Sequence, residues 1–474
     1  MTAALSPSII DARRRPIRDE SKRSMGKRIC IIFFPRHPFT SSQLGKMKTD
    51  QDESLGDWAL TRTRAHRQRA HGGASIWPDL VIILGLALAV RLTWALLAPS
   101  LDPFLKQSPL LGDAASYDRI AKSLLAGTGF TERPAESSAF WPPLYPALLS
   151  LIYSVAGYHL ETARILQAFL GMAVPVSFFL IALKPFGRRV AWLSAVGLIF
   201  YPHLVYFNAW LIAESLFMAL LSVGMLALSI SPGKSSLVRL AAAGAMFGLA
   251  ALAKPLMLFV MPFLGLWLFV ASPEGMLRRI MAVSTLAIAM LVVILPWTAR
   301  NYRLYGQLVL ISTNGGYTFL GANNPDAWGG HDEGFPPAIP GLNAAEMEDA
   351  YYAEAFDWIG DNPEDFARLL IPKYRRLFSP LSVASFREDY GIPGRALVYM
   401  VYAAFLLTAL CGAIKAWPKW RQIGYLYAPM AGVILSAGLY YGDARYTLPM
   451  APSLVVLAAL AVGSVLARFV ASRT

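Results

Sequence analysis

The sequence is poor in cysteine and in charged residues. Its two cysteines, Cys30 and Cys411, exclude a disulfide framework. Charged residues make up 15% of the 474 and hydrophobic residues 55%, whereas an average soluble domain has about 25% charged residues. Long uncharged runs such as Leu80–Val90 and Met281–Leu295 are typical of membrane-spanning helices. The composition therefore predicts an all-α polytopic membrane protein and excludes the disordered, collagen-like and disulfide-stapled classes.

Glycine-rich phosphate-binding motifs are missing as well. The sequence has no Walker loop and no GxGxxG pattern between a strand and a helix. The sequence therefore has no recognisable binding site for the phosphates of a nucleotide or a nucleotide sugar. No internal repeat is present either, although repeats and helices broken at the bilayer midplane are typical of transporters.

Positive charge is concentrated at the N-terminus. The net charge is +13, and residues 1–75 contain fifteen Lys and Arg against seven Asp and Glu. We interpret 1–75 as a basic, disordered cytoplasmic tail beside anionic membrane lipids. A nucleic-acid-binding arm is the weaker alternative, and no nucleic-acid partner is expected.

Hydrophobic segments and loop charges predict the membrane topology. Because Lys and Arg collect in cytoplasmic loops, the basic turns place the N-terminus inside and two large loops outside, in a protein expected in the bacterial inner membrane. The apolar stretch Leu144–Ala156 is short for a span, so we predict a helix at the outer face there. The ten predicted spans are 78–98, 161–183, 189–207, 209–230, 236–253, 255–271, 278–298, 397–414, 422–441 and 446–467.

Four divisions follow from this topology. The tail 1–75 precedes a transmembrane module, 76–298, that contains the first outer loop, 99–160. The second outer loop is 299–395, and the C-terminal transmembrane helices occupy 396–474.

Two carboxylates in the first outer loop lie on one amphipathic helical segment. Asp113 follows Gly112 at its start, where Asp is a favoured N-cap. A carboxylate held at a membrane surface between apolar walls is alternatively a general base. Asp118 lies one helical turn from Lys122, which favours an ion pair.

Charged side chains recur near the outer ends of the spans. Glu214 lies one turn inside the fourth span, where a carboxylate is costly and is either functional or paired, with Arg91 as a candidate partner. Arg91 is equally explained by snorkelling to the surface. Lys254, Arg300 and Arg445 break the positive-inside trend, which an anionic lipid phosphate at the outer face explains.

For Arg445, pairing with the nearby Asp443 is the competing interpretation. Aromatic side chains and a turn add candidate sugar contacts: Tyr117, Trp141 and Tyr145 fit sugar stacking or an interfacial aromatic belt. Asn314 begins an Asn-Gly-Gly turn that either binds sugar hydroxyls or is only a turn.

The order of these segments resembles the GT-C membrane glycosyltransferases. The resemblance is to glycosyltransferase family 39 in particular, with its dolichyl-phosphate-mannose–protein mannosyltransferases and bacterial aminoarabinose transferase relatives. It extends over roughly residues 78–460. The matching segments are Leu111-Gly112-Asp113 with Gly127-Thr128-Gly129-Phe130, Pro142-Pro143-Leu144-Tyr145-Pro146, Tyr201-Pro202 with Glu214-Ser215-Leu216, Pro296-Trp297 with Arg300-Asn301-Tyr302, Asp357-Trp358-Ile359 with Asn362-Pro363, and Arg445-Tyr446-Thr447-Leu448-Pro449.

The resemblance implies a hexosyl- or pentosyltransferase that moves a sugar from a polyprenyl-phosphate donor to a hydroxyl of a lipid, glycan or protein. It implies catalytic roles for Asp113 as base and for Glu214. Ala114 stands where the protein mannosyltransferases carry Glu, which argues against their kind of protein acceptor. The implied reaction also needs fixed positive charge at the donor phosphate, and the candidates by position are Lys254, Arg300, Arg445 and Arg91.

No cofactor is expected to be required, since a monophosphate leaves as a stable anion. The triplet His331-Asp332-Glu333 fits a solvated turn better than a metal site, so dependence on a divalent metal stays open. Two other functions share many of these features: a transporter or flippase, and a lipid-linked glycan polymerase or ligase of the envelope. Clustering of the polar residues at one membrane face favours the transferase over the transporter.

Overall fold

The protein is described by a computed structural model over residues 75–110, 112–132, 138–229, 236–330, 336–380 and 392–472. Regular structure in these ranges is helical, without a β-strand. The all-α prediction is therefore confirmed. The predicted tail, apart from Ser75, and the triplet 331–333 lie outside the described residues.

Among the described residues, twelve α-helices begin before residue 299, where the predicted second outer loop starts. They are α1 (Trp77–Leu101), α2 (Pro103–Gln107), α3 (Asp113–Leu125), α4 (Leu144–Ala156), α5 (Leu160–Gly171), α6 (Ala173–Phe186), α7 (Arg188–Ile199), α8 (Pro202–Tyr206), α9 (Glu214–Ser229), α10 (Leu237–Ala253), α11 (Met257–Ala271) and α12 (Met276–Tyr305). The second loop and the C-terminal part contain α13 (Gly315–Ala322), α14 (Ala344–Asp361), α15 (Pro363–Leu377), α16 (Ile392–Ala416), α17 (Trp420–Ile423), α18 (Ala428–Leu439) and α19 (Ala451–Ala471). A 3₁₀ turn, Ala444–Thr447, joins the last two.

The chain is an integral membrane protein. Each of the ten predicted spans overlaps one or two of these helices. Within the described residues, five helical segments are long and apolar enough to cross a membrane, and five apolar helices are shorter. The count of ten spans and their orientation stay predictions. The five long segments are Trp77–Leu101, Leu160–Phe186, Met276–Tyr305, Gly394–Leu426 and Ala451–Val470.

Two predicted spans are shorter in the structure than in the sequence pattern. The span at 189–207 is broken before Pro202, because a residue that precedes proline is disfavoured in the α conformation; Tyr201 is extended there. The span at 209–230 becomes helical only at Glu214. The irregular segment between α8 and α9 is buried, with Ala209 and Leu211 fully covered, and it sets Glu214 at the first position of α9.

Small residues let α10 approach α12 closely. A β-carbon on Gly244 would lie 2.3 Å from the Leu286 carbonyl oxygen, and one on Gly248 would lie 2.7 Å from that of Met290. Glycines four residues apart are a common device for close helix packing in membranes. Since α10 carries Lys254 at its C-cap, this packing supports the site described below.

We expect Gly244→Ala to lower the midpoint of thermal unfolding in detergent. Overpacking of this kind costs about 1–3 kcal/mol. The control is Gly85→Ala on α1, where a β-carbon meets nothing within 4 Å and alanine favours the helix by about 1 kcal/mol. Equal midpoints for wild type and Gly244→Ala would show that the two helices are not tightly packed.

Candidate active site

A cavity of about 240 Å³ lies where the two predicted outer loops meet the ends of the apolar helices. Its walls come from α3, from the segment before α4, from the start of α9, from the turn between α10 and α11, from the start of α13, and from the segment after α18. It contains four charged side chains and several aromatic ones. The polar and aromatic side chains that line it are Asp113, Tyr117, Phe140, Trp141, Glu214, Lys254, Phe259, Asn314, Tyr317, Thr318, Ser436, Tyr440, Tyr441, Arg445 and Tyr446.

Asp113 occupies the first turn of α3 but does not cap it. The N-cap is Gly112, and the structure shows no side-chain cap hydrogen bond. Gly112 has a φ of +53°, a conformation that glycine adopts readily and that other residues rarely do. The N-cap interpretation of Asp113 is therefore wrong. Its carboxylate is 30% exposed, and its Oδ2 accepts a hydrogen bond from Arg445 Nη1 at 2.8 Å.

Arg445 joins the two predicted catalytic carboxylates. Its Nε lies 3.2 Å from Glu214 Oε1, which also lies 2.6 Å from Lys254 Nζ. The chain of contacts thus runs from Asp113 through Arg445 and Glu214 to Lys254, and we call these four residues the charge cluster. Two negative and two positive charges balance in it. The Glu214 side chain is only 7% exposed, and a carboxylate at that depth requires such partners.

Local backbone structure directs the two cations into the cavity. Lys254 is the C-cap of α10 with an extended backbone, and Pro255 follows it, as expected because a proline restricts the residue before it. Arg445 is the second residue of the 3₁₀ turn Ala444–Thr447, whose N-cap, Asp443, accepts a hydrogen bond from the Arg445 backbone N–H at 2.8 Å. Asp443 therefore holds the backbone of Arg445, and in the described ion pairs the guanidinium contacts Asp113 and Glu214 instead.

Arg91 lies behind the charge cluster and not in the cavity. It is fully buried, and its guanidinium donates to the carbonyl oxygens of Ala87 at 3.5 Å and Leu198 at 3.3 Å. The described ion pairs of Glu214 are with Lys254 and Arg445, so the alternative of a Glu214–Arg91 pair is wrong. A small void of about 10 Å³ is lined by both Arg91 and Glu214.

The predicted aromatic residues form one cluster, in which some rings line the cavity and one is buried. The Tyr117 ring lies edge-on to those of Trp141 and Tyr145, each at 5.2 Å between centroids. Tyr117 and Trp141 line the cavity, whereas Tyr145 is buried and its hydroxyl donates to Gln167 Oε1 at 2.7 Å. Burial, and then the charges of Asp113 and Glu214, raise the pKa of Tyr117, so its phenol stays neutral.

The remaining predicted residues differ in whether they line the cavity. Arg300 does not line the cavity among the described residues: its Nη1 donates to the Ser138 carbonyl oxygen at 2.8 Å, and its guanidinium lies over the Trp297 ring at 4.6 Å. Asn314 does line the cavity. The predicted pair of Asp118 with Lys122 is confirmed at 2.9 Å.

Glu132 was not recognised in the sequence. Its Oε2 accepts a hydrogen bond at 3.1 Å from Trp141 Nε1, and its Oε1 contacts Arg119 and Ser116. Burial opposes ionisation, but the hydrogen bonds from these neighbours lower the pKa of Glu132. It therefore holds the indole of Trp141 at the cavity wall.

Tyr440, Tyr441 and Tyr446 also line the cavity and were not recognised, because tyrosines at span ends are common in any membrane protein. Among the described residues, no group of three or more His, Cys, Asp or Glu side chains is arranged to hold a metal ion.

A protein-family model described as dolichyl-phosphate-mannose-protein mannosyltransferase matches residues 141–298. Among solved structures, the archaeal oligosaccharyltransferase AglB from Archaeoglobus fulgidus, in complex with an inhibitory peptide and a dolichol-phosphate, matches with a TM-score of 0.52 and 16% identity. The match covers 83% of this chain and 50% of that one. The resemblance to the GT-C membrane glycosyltransferases is confirmed.

The GT-C fold is shared with a further solved structure of the Archaeoglobus fulgidus oligosaccharyltransferase, tethered to an acceptor peptide, at 14% identity and a TM-score of 0.52; 83% of this chain and 50% of that chain are covered. The chain therefore spans about half the length of these proteins. ArnT from Cupriavidus metallidurans, bound to undecaprenyl phosphate, matches at 16% identity and a TM-score of 0.41, over 82% of this chain and 79% of that one. No curated protein sequence matches significantly.

Proposed function

We propose that the protein is a glycosyltransferase that moves one sugar from a polyprenyl monophosphate to a hydroxyl acceptor at the outer membrane face. The observation that carries the proposal is the charge cluster: a carboxylate paired with a cation, at the wall of an aromatic-lined cavity, in a GT-C fold. Asp113 is the proposed general base, and Lys254 and Arg445 are the proposed phosphate-binding cations.

The proposed reaction breaks the bond between the sugar C1 and the phosphate oxygen and forms a bond from C1 to the acceptor oxygen. The acceptor proton goes to the Asp113 carboxylate, and the polyprenyl phosphate leaves as a monoester that carries the negative charge. A stable anion needs fixed positive charge more than a general acid. Base catalysis typically contributes about 10²–10⁴-fold.

Arg445 connects the two charge changes of this reaction. It pairs with Asp113 while that carboxylate is ionised. Protonation of Asp113 removes the negative charge beside Arg445 at the same time as the leaving phosphate gains one. The guanidinium is then available to the phosphate without a change in the number of charges at the site. This exchange is part of the proposal.

An apolar groove of about 740 Å³ offers room for the prenyl chain. Its walls come from α7, α8, α16 and α19. His203 at this groove lies near enough to Asp443 for their charges to interact, and Asp443 is two residues before Arg445. A lipid tail and a phosphate bound at the charge cluster would thus be neighbours. The wall residues are Leu193, Gly197, Phe200, Tyr201, Pro202, His203, Tyr206, Pro380, Leu397, Val398, Val401, Tyr402, Phe405, Val455, Ala458, Ala459 and Val462.

Lipid that remains bound through purification tests the donor class. We expect mass spectrometry of the extracted lipid to identify a polyprenyl monophosphate, with or without its sugar, and to find less of it in Lys254→Ala. A sugar carried on a polyprenyl diphosphate would favour the glycan polymerase or ligase instead. Wild-type amounts of the lipid in Lys254→Ala would contradict the proposed phosphate site.

A further inference from the structure

Glu348 on α14 supports the cavity wall from behind. Its carboxylate faces the backbone N–H groups of Gly315 and Gly316 in the first turn of α13, and its Oε1 lies 2.8 Å from the position that a β-carbon on Gly315 would take. Asn314 and Gly315 line the cavity, together with Tyr317. Glu348 itself does not line it. The contact therefore joins the second outer loop to the turn that faces the charge cluster.

The turn fits closely against α14. A β-carbon on Gly315 would lie 2.3 Å from the Tyr352 hydroxyl oxygen, and one on Gly316 would lie 2.2 Å from the Glu348 carbonyl oxygen. Tyr352 in turn shares a hydrogen bond of 2.9 Å with Tyr440, which lines the cavity. The position of the turn thus depends on α14 and on the Glu348 carboxylate.

The titratable groups around Glu348 are few. Asp349 and Tyr352 belong to its own helix, Tyr305 comes from α12, and Tyr440 comes from the segment after α18. Burial is the main cause that raises the pKa of Glu348 to about 7, and Asp349 adds to it, whereas the backbone N–H groups of Gly316 and Gly315 act in the opposite direction. The tyrosines are neutral near that pH, so Glu348 is the group that changes charge there.

We propose that Glu348 is a positioning residue: its ionised carboxylate holds the 314–316 turn in the conformation that binds the sugar of the donor. The carboxylate faces the N-terminus of α13, where a negative charge is stabilised by the backbone N–H groups of the first turn. Protonation removes this attraction and loosens the turn. The inference rests on the proposed function for its substrate, but the geometry of the turn is independent of it.

The raised pKa of Glu348 determines the direction in which pH affects the 314–316 turn. The raised pKa means that Glu348 is protonated in the folded protein at pH values where a free glutamate is ionised. As the pH falls through about 7, the carboxylate is lost and the turn loosens. We therefore expect the KM for the donor to rise about five- to tenfold below that pH, while kcat changes little.

Glu348→Gln tests this split between KM and kcat. We expect the KM for the donor to be raised at every pH in this variant. Its KM should not change with pH near 7, because glutamine does not titrate. Asp349→Asn is the matched control on the adjacent exposed residue: it should keep the wild-type KM at high pH and the pH dependence itself, moved to a somewhat lower pH because Asp349 contributes to the raised pKa of Glu348. A wild-type KM and pH profile in Glu348→Gln would overturn the proposal.

Hydrogen–deuterium exchange provides a readout that does not depend on transfer. After correction for intrinsic rates, the peptide that covers 312–322 should lose protection as wild type is acidified and should be less protected in Glu348→Gln at all pH values. If Glu348→Gln does not fold, wild type and Glu348→Asp, which still titrates, are compared in the same way. Protection that is independent of pH in both would overturn the proposal, even if transfer itself is confirmed.

Discussion

Asp113→Asn is expected to reduce sugar transfer at least a hundredfold and to leave folding intact. Asparagine does not accept the acceptor proton at neutral pH, and general-base catalysis typically contributes about 10²–10⁴-fold. The carbonyl oxygen of asparagine still accepts the hydrogen bond from Arg445. Because Gly112 is the N-cap of α3, the substitution removes no cap. The measurements are the initial transfer rate and the thermal midpoint in detergent.

The control for this variant is Asp118→Asn on the same helix. Asp118 pairs with Lys122 at 2.9 Å and accepts a hydrogen bond at 2.9 Å from the Tyr153 hydroxyl, so it is committed to packing. We expect Asp118→Asn to lose stability but to retain most of the transfer rate of the protein that folds. Near wild-type transfer by Asp113→Asn together with an inactive Asp118→Asn would show that Asp113 is not the base.

Lys254→Ala is expected to raise the KM for the donor about ten- to a hundredfold. A hydrogen bond to a charged group contributes about 1.5–3 kcal/mol. The Lys254 side chain is 17% exposed and reaches the cavity. Its removal leaves Glu214 paired with Arg445, so the buried carboxylate keeps a partner and the fold should survive. Steady-state kinetics with varied donor measures the effect.

Arg300→Ala provides the comparison for Lys254→Ala. Arg300 carries the same charge and was predicted from the sequence to bind the same phosphate. The structure directs its guanidinium to the Ser138 carbonyl oxygen, outside the cavity lining. We therefore expect a small change in donor KM. A large effect in Arg300→Ala with none in Lys254→Ala would move the phosphate away from the charge cluster.

The helices could be predicted largely from the sequence. The length of an uncharged run directly reflects the hydrocarbon thickness that a helix has to cross, and Leu144–Ala156 is helical over the predicted residues. The helix breaks were harder to predict. The apolar sequence continues through Tyr201-Pro202, whereas the helix ends before them. The buried segment before Glu214 is largely apolar but is not helical.

The charge cluster could be predicted only as a set of candidates. Loop charge placed Asp113 and Arg445 on the same side of the membrane, but 332 residues separate them, and no local pattern indicates their contact. Partners chosen by proximity, Asp443 for Arg445 and Arg91 for Glu214, were wrong. Capping of the 3₁₀ turn uses the Asp443 carboxylate, and packing directs Arg91 to backbone carbonyl oxygens.

Glu348 had no signal in the sequence at all. It lies on an acidic, exposed-looking helix of the second outer loop, and its burial arises only when α14 packs on the turn at Gly315 and Gly316. Glu132 is similar, since its contact with Trp141 depends on the fold of the first loop. Tertiary contacts of this kind are not encoded by spacing along one helix.

The most direct test of the central claim is an experimental structure of the protein with a bound polyprenyl monophosphate. The account predicts that the phosphate lies within charge-assisted hydrogen-bond distance, about 2.7–2.9 Å, of Lys254 or Arg445, with the Asp113 carboxylate facing the same cavity. Density for the phosphate beside Arg300, or anywhere outside the charge cluster, would contradict it.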